Sequence, residues 1–147
     1  MALLSLSSCK DDSSDWCDQC TLEARVDAVA SVGSTDCGVA ELDAGMEVAE
    51  CVAAELGANR PFTVVLERAG VDSIARGAWA MSADGTLYRF FYDSNICGGG
   101  NGCDEDCGPR VERSECTGPR IDETLPDLIV CETRGEWQTL CEPPRPR

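Results

Sequence analysis

Apolar positions change their period along this chain, and the change marks its elements. Met46, Ala49, Val52, Ala53 and Leu56 recur at three- and four-residue spacing, the stripe of one amphipathic helix. Asp43 offers an N-cap, and Gly57 with Asn59 stops the helix before Pro61. At about 100° per residue Cys51 falls on the other side, among Glu47 and Glu55. A bridge from Cys51 is therefore expected to reach a segment outside the helix, not the sheet beneath it. After Pro61 the period drops to two. Phe62 to Arg68 is rich in β-branched and aromatic residues and predicts a strand, Gly70-Val71-Asp72 a turn, and Ser73 to Met81 and Thr86 to Tyr92 two further strands.

Ser82-Ala83-Asp84-Gly85-Thr86 suits a three-residue hairpin loop with Gly85 in the left-handed region. With Ser82 opposite Thr86, Met81 faces Leu87, Trp79 faces Arg89 and Gly77 faces Phe91. The other face carries Ala78, Ala80, Tyr88, Phe90 and Tyr92. Both faces hold large apolar groups and need cover, and the main helix is expected over the small Ala78 and Ala80. Trp79 beside Arg89 reads either as a cation–π pair or as ordinary cross-strand packing.

The flanks carry weaker signals. Leu22, Val26 and Val29 predict a short helix within 22–32, and Cys37-Gly38 a turn before the main helix. Arg110 to Cys116 alternates weakly and suits a strand returning beside the meander. Leu128 to Thr133 is a further strand, which Arg134-Gly135 turns into Glu136 to Cys141. The resulting expectation is an α+β, disulfide-rich domain: a main helix packed on an antiparallel β-meander of about four strands. Helix followed by meander resembles a cystatin-like arrangement in architecture only, since no inhibitor motif accompanies it.

Composition adds the compartment. The 147 residues suffice for one domain with a modest core, and eleven cysteines at that length point to disulfides in an oxidising environment. Cys37 is the preferred partner for Cys51, with Cys17 or Cys20 as alternatives, and Cys116 suits Cys131, which leaves Cys141 to tie down the end. Cys97, Cys103 and Cys107 pin a glycine-rich loop. A net charge of −15 argues against a basic surface for nucleic acid or anionic membrane.

An odd cysteine count leaves one with another task. Leu6-Ser7-Ser8-Cys9, after the apolar Ala2-Leu3-Leu4, resembles the lipobox of bacterial lipoproteins. The resemblance implies a signal remnant over 1–9, acylation of Cys9, and membrane attachment through that lipid alone. It departs from the pattern in lacking a basic start and in having eight residues before the cysteine. Residues 10–15 then form a tether, 16–141 one disulfide-stapled domain, and 142–147 a proline-rich frayed tail.

Three chemistries are weighed against disulfide scaffolding. Trp16-Cys17-Asp18-Gln19-Cys20 resembles the thioredoxin-family motif, which implies a redox pair at Cys17 and Cys20. Asp15 and Asp18 oppose a thiolate there, and the segment before it lacks the strand of that family. Asn101, Asp104, Glu105 and Asp106 offer hard oxygen ligands for Ca²⁺, without EF-hand spacing. Cys97, Cys103, Cys107 and Cys116 lack the paired spacings of a zinc site. The chain has no His, which excludes Ser-His-Asp and Cys-His catalysis. Acid pairs such as Glu47 with Glu50, Asp104 with Asp106 and Asp122 with Glu123 are expected in so acidic a chain. No cofactor is expected. The leading expectation is a secreted or lipid-anchored, non-enzymatic binding module with a protein partner and no nucleic acid. Its contacts are expected from exposed meander aromatics or the glycine-rich loop, including inhibition of an extracellular enzyme. A thiol–disulfide oxidoreductase and a Ca²⁺-stabilised module stand as alternatives.

Overall fold

The structure, a computed structural model, describes residues 15–41, 46–98, 107–122 and 127–143. Three short helices, α1 (Asp15–Gln19), α2 (Leu22–Val29) and α3 (Met46–Gly57), accompany seven strands. These are β1 (Thr35–Ala40), β2 (Phe62–Arg68), β3 (Ala75–Met81), β4 (Leu87–Asp93), β5 (Arg110–Ile121), β6 (Ile129–Arg134) and β7 (Gln138–Cys141). They form a single sheet in the order β1-β2-β3-β4-β5-β6, with β7 also paired to β5. β1 runs parallel to β2 and every other pairing is antiparallel.

That sheet overturns the expected architecture of one main helix on a four-strand meander, and the cystatin-like analogy goes with it. The difference lies at both ends of the sheet. Thr35–Ala40, which contains the Cys37-Gly38 expected in a turn, is a strand at the edge of the sheet, joined to β2 through α3 as a parallel crossover. At the other end β6 and β7 do not pair as a hairpin. Both lie along the twelve-residue β5, β6 against Cys116–Ile121 and β7 against Val111–Arg113.

The central meander has the expected register: Met81 opposite Leu87, Trp79 opposite Arg89 and Gly77 opposite Phe91. Its turn closes through Ser82 N–H to the Thr86 carbonyl at 3.0 Å, and Gly85 adopts φ +84°, which costs a residue with a Cβ about 1–2 kcal/mol.

Alternation splits the core in two. On one face Phe62, Val64 and Leu66 of β2, Trp79 and Met81 of β3 and Leu87 of β4 join Val52 of α3. On the other, Ala78, Ala80, Phe90 and Val111 pack with Leu22 and Val26 of α2. The main helix therefore covers the Trp79 and Met81 face, and the short α2 takes the Ala78 and Ala80 face where the main helix was expected. The small alanines admit α2, held by Thr21 Oγ1 accepting from Ala24 N–H and by the Arg76–Glu23 ion pair. Arg76 also lies over the Tyr92 ring at 5.1 Å.

The buried face of α3 is rotated from the expected stripe. Val48, Ala49, Cys51, Val52 and Leu56 pack inward, while Met46 is 78% exposed. Cys51 is drawn onto the sheet edge by its disulfide to Cys37 of β1, so the expected segment outside the helix is itself a strand of the sheet. Glu55, expected outside, is buried (8% exposed), with Arg60 Nε and Nη2 donating to its two carboxylate oxygens at 2.8 and 2.9 Å. These hydrogen bonds hold the Glu55 carboxyl below the ordinary glutamate range.

Four disulfides lie wholly among the described residues: Cys20–Cys141, Cys37–Cys51, Cys97–Cys107 and Cys116–Cys131. They join the N-terminal helices to the last strand, the crossover helix to the first, and the long β5 to β6. The chain is thus a cysteine-rich, disulfide-stabilised module, compatible with an extracellular or envelope location. Among the described residues no helix is long and apolar enough to cross a membrane.

Candidate functional site

A polar cluster interrupts the apolar face covered by α3. It begins with Gly77, a glycine in the interior of β3. A Cβ there would lie 2.9 Å from Arg68 Nε, so the missing side chain is what lets the Arg68 guanidinium lie across the sheet. One strand further on, Arg89 projects from β4 beside its cross-strand neighbour Trp79. Asp127, just before β6, receives both arginines. Arg68 Nη2 donates to Oδ1, and Arg89 Nη2 donates to Oδ2 at 2.8 Å.

The backbone around Asp127 is tightly specified. Its carbonyl accepts from the fully buried Trp79 indole N–H at 2.8 Å and from Ile129 N–H at 2.7 Å. The next residue, Leu128, is buried with φ +59°, a left-handed conformation that costs a leucine about 1–3 kcal/mol. Such strain persists where surrounding contacts fix the backbone, and here an indole and two guanidiniums do so.

Trp137 completes the cluster from the link between β6 and β7. The Arg89 guanidinium lies 5.6 Å from its ring centroid and 5.9 Å from that of Trp79, within cation–π range of both. The link is pinned on both sides of Gly135. Gly135 N–H donates to the Glu115 carbonyl at 2.9 Å, and Ser114 Oγ donates to the Gly135 carbonyl at 2.8 Å. Trp137 is 46% exposed and is the exposed large aromatic among the described residues. Its link is hydrogen-bonded to β5 at Gly135.

Electrostatically the cluster is cationic inside a strongly acidic protein. Burial pulls the Arg89 guanidinium below its ordinary value. Asp127 opposes that, and the positive charges of Arg68 and Arg134 add to it. Side-chain exposures of 24%, 17% and 19% for Arg68, Arg89 and Asp127 keep these charges only partly screened. Arg68 Nε is buried with no hydrogen-bond acceptor.

The opposite side of the same link borders a cleft of about 260 Å³, lined by Tyr88, Arg113, Glu115, Gly135, Glu136 and Gln138. Arg113 lies 4.8 Å from the Tyr88 ring centroid and its Nε donates to Gln138 Oε1 at 3.1 Å. The link therefore borders a different surface on each side.

The residues singled out from sequence fare differently. Cys17 and Cys20 are both disulfide-bonded, but Cys20 pairs with Cys141 across the buried α2 face. The two are therefore not bonded to each other. Cys37 with Cys51 and Cys116 with Cys131 are the pairings expected. Glu47 and Glu50 are exposed on α3. Cys9, Asp43, Cys103, Asn101, Asp104, Glu105, Asp106 and Glu123 lie outside the described residues. Among the described residues no three Cys, Asp or Glu side chains converge as a metal set. Of the meander aromatics, Trp79 and Phe90 are buried and Tyr88, Phe91 and Tyr92 half-buried, so the exposed ring comes from elsewhere. Sequence reasoning missed Asp127 and Trp137, and its available signals were Gly77 inside a strand and an arginine facing Trp79.

Comparison with protein-family models, with curated proteins and with solved structures gives no match.

Proposed function

We propose that this chain is a non-enzymatic binding module of the bacterial envelope or extracellular space, attached through an acylated Cys9, which docks a protein partner through Trp137. The observation that carries this reading is the exposed indole fixed over Arg89. A large aromatic that is ordered before binding loses little side-chain entropy on contact, which is how interface anchors gain their energy. Disulfides that join distant elements support a scaffold role, because each bridge holds secondary structure together across the fold.

A photo-crosslinking phenylalanine analogue at position 137, introduced into the native host, tests the reading. A discrete partner is expected to crosslink at 137 and to be displaced by purified wild-type domain but not by Trp137→Ala. Crosslinks that both proteins displace equally, or none at all, would refute docking through this ring. Intact mass of the native protein tests the anchor: a diacyl or triacyl mass on a chain beginning at Cys9 supports it, and an unmodified Cys9 refutes it.

A further inference from the structure

From the charges around Trp137 we infer that the partner presents a free C-terminal carboxylate, which docks against the Arg89 and Arg134 side of the cluster. This rests on the binding-module reading above and adds the chemistry of the bound group.

Charge bookkeeping comes first. Arg68 and Arg134 both place positive charge near Arg89, and Asp127 is the carboxylate that Arg68 and Arg89 share. The arrangement leaves an excess of positive charge in a protein whose net charge is −15. Each guanidinium carries five donors, while Asp127 has two oxygens, and each of these already accepts from one arginine. Arg134 is exposed, ends β6 directly before the exposed 135–137 link, and pairs with Cys116, which across β5 faces Leu87, two residues from Arg89 on β4. Arginine pairs with planar carboxylates through parallel donors, and in a half-buried setting such bonds are stronger than at an open surface.

The acidic body decides which carboxylate. A polyanion, such as an acidic glycan or an acidic peptide, would be repelled by the rest of the surface. One terminal carboxylate on a neutral or basic chain is not. The acidic surface attracts the body of such a partner, the arginines take its terminus, and the Trp137 ring receives the last side chain. The excess charge suits one carboxylate better than a row of them.

The test uses the disulfide-intact chain and two pools of N-acetylated, lysine-rich pentapeptides randomised at the last position, one with free acid and one with amide ends. The free-acid pool is expected to bind at least about tenfold more tightly, the scale of one charge-assisted hydrogen bond. Arg134→Ala, at an exposed position, is expected to bring the acid affinity down to that of the amide. The Arg89 Nε–H resonance is expected to shift with the acid pool alone. Trp137→Ala is expected to weaken both pools. Equal binding of acid and amide overturns the carboxylate inference, and leaves docking through Trp137 intact if Trp137→Ala still weakens both. Tighter binding of an oligogalacturonate than of the acid pool overturns the assignment to a polypeptide. Absence of binding to either pool overturns the inference, while the crosslinking result at position 137 decides the docking reading separately.

Discussion

Replacing Asp127 with Ala should damage the fold more than replacing either arginine, and the reason lies in what each change leaves behind. Removing Arg89 leaves Asp127 paired with Arg68, so every charge keeps a partner. Removing Asp127 leaves two guanidiniums, each about one-fifth exposed, without their shared counterion. A hydrogen bond to a charged group contributes about 1.5–3 kcal/mol, and stripping one partner from a buried pair costs about 3–5 kcal/mol. With the residual exposure of this cluster, Asp127→Ala is expected near 3 kcal/mol, at the low end of that range. Arg89→Met is expected near 2 kcal/mol, from one charged hydrogen bond and the ring contacts offset by added apolar packing. The deciding quantity is the coupling. In the Asp127→Ala background Arg89→Met removes a repulsion with Arg68, so its cost should fall to about zero, a coupling near 2 kcal/mol. Urea unfolding of the four proteins at pH 7, with disulfides intact, measures it. Additive costs within about 0.5 kcal/mol would refute the view that Asp127 is the hub of the cluster.

Other expected outcomes are separable. Removing the Cys37–Cys51 bridge as a double alanine variant, with its 14-residue separation, should cost about 3 kcal/mol by loop entropy, or about 6–12 °C in Tm; calorimetry at fixed scan rate checks this, and a change below 2 °C would contradict it. Gly85→Ala should cost about 1–2 kcal/mol because its φ of +84° is unfavourable for a Cβ; Ala83→Gly, in the same loop, is the control and should change stability by less. Glu55, whose carboxyl is lowered by Arg60, stabilises the fold fully above its unfolded value and loses that contribution as pH falls through the folded one. Glu55→Gln should therefore flatten the stability curve in acid below the ordinary glutamate range, read by urea titrations between pH 3 and pH 7; parallel curves for the two proteins would sink the assignment.

How much was legible follows from the range of the interactions. The β3–β4 register is local: the Asp84-Gly85 turn and alternation from Met81 and Leu87 fix it within a few residues. The Cys37–Cys51 pairing is short-range too. β1 left almost no trace, because Thr35-Asp36-Cys37-Gly38-Val39-Ala40 has a glycine at φ +86° and a register shift between Asp36 and Val39. Its pairing is with a strand beyond a helix, a partner that periodicity cannot supply. The end of the chain failed for a related reason. Gly135 reads as a hairpin turn, but its N–H and the flanking strands are claimed by β5, whose length lets it hold β6 and β7 in succession. The site was least legible of all. Asp127 stands 59 residues from Arg68 and 38 from Arg89 in sequence.

The position of the cluster follows from where helical cover stops. α3 packs mainly on β1 and β2, so the same face of β3 and β4 needs another lid further along the sheet. Leu128 and Ile129 fill part of that space and join the core under Trp79 and Leu87. Beyond them the chain uses arginines, whose apolar stems cover sheet while their heads stay near water. Arginine heads in that position require a carboxylate, and Asp127 supplies it, beside the left-handed Leu128. An apolar side chain at position 89 would have closed the face with less excess charge. The arginine there instead lies against the Trp137 ring, so the residue that brings charge to the covered face also builds the platform.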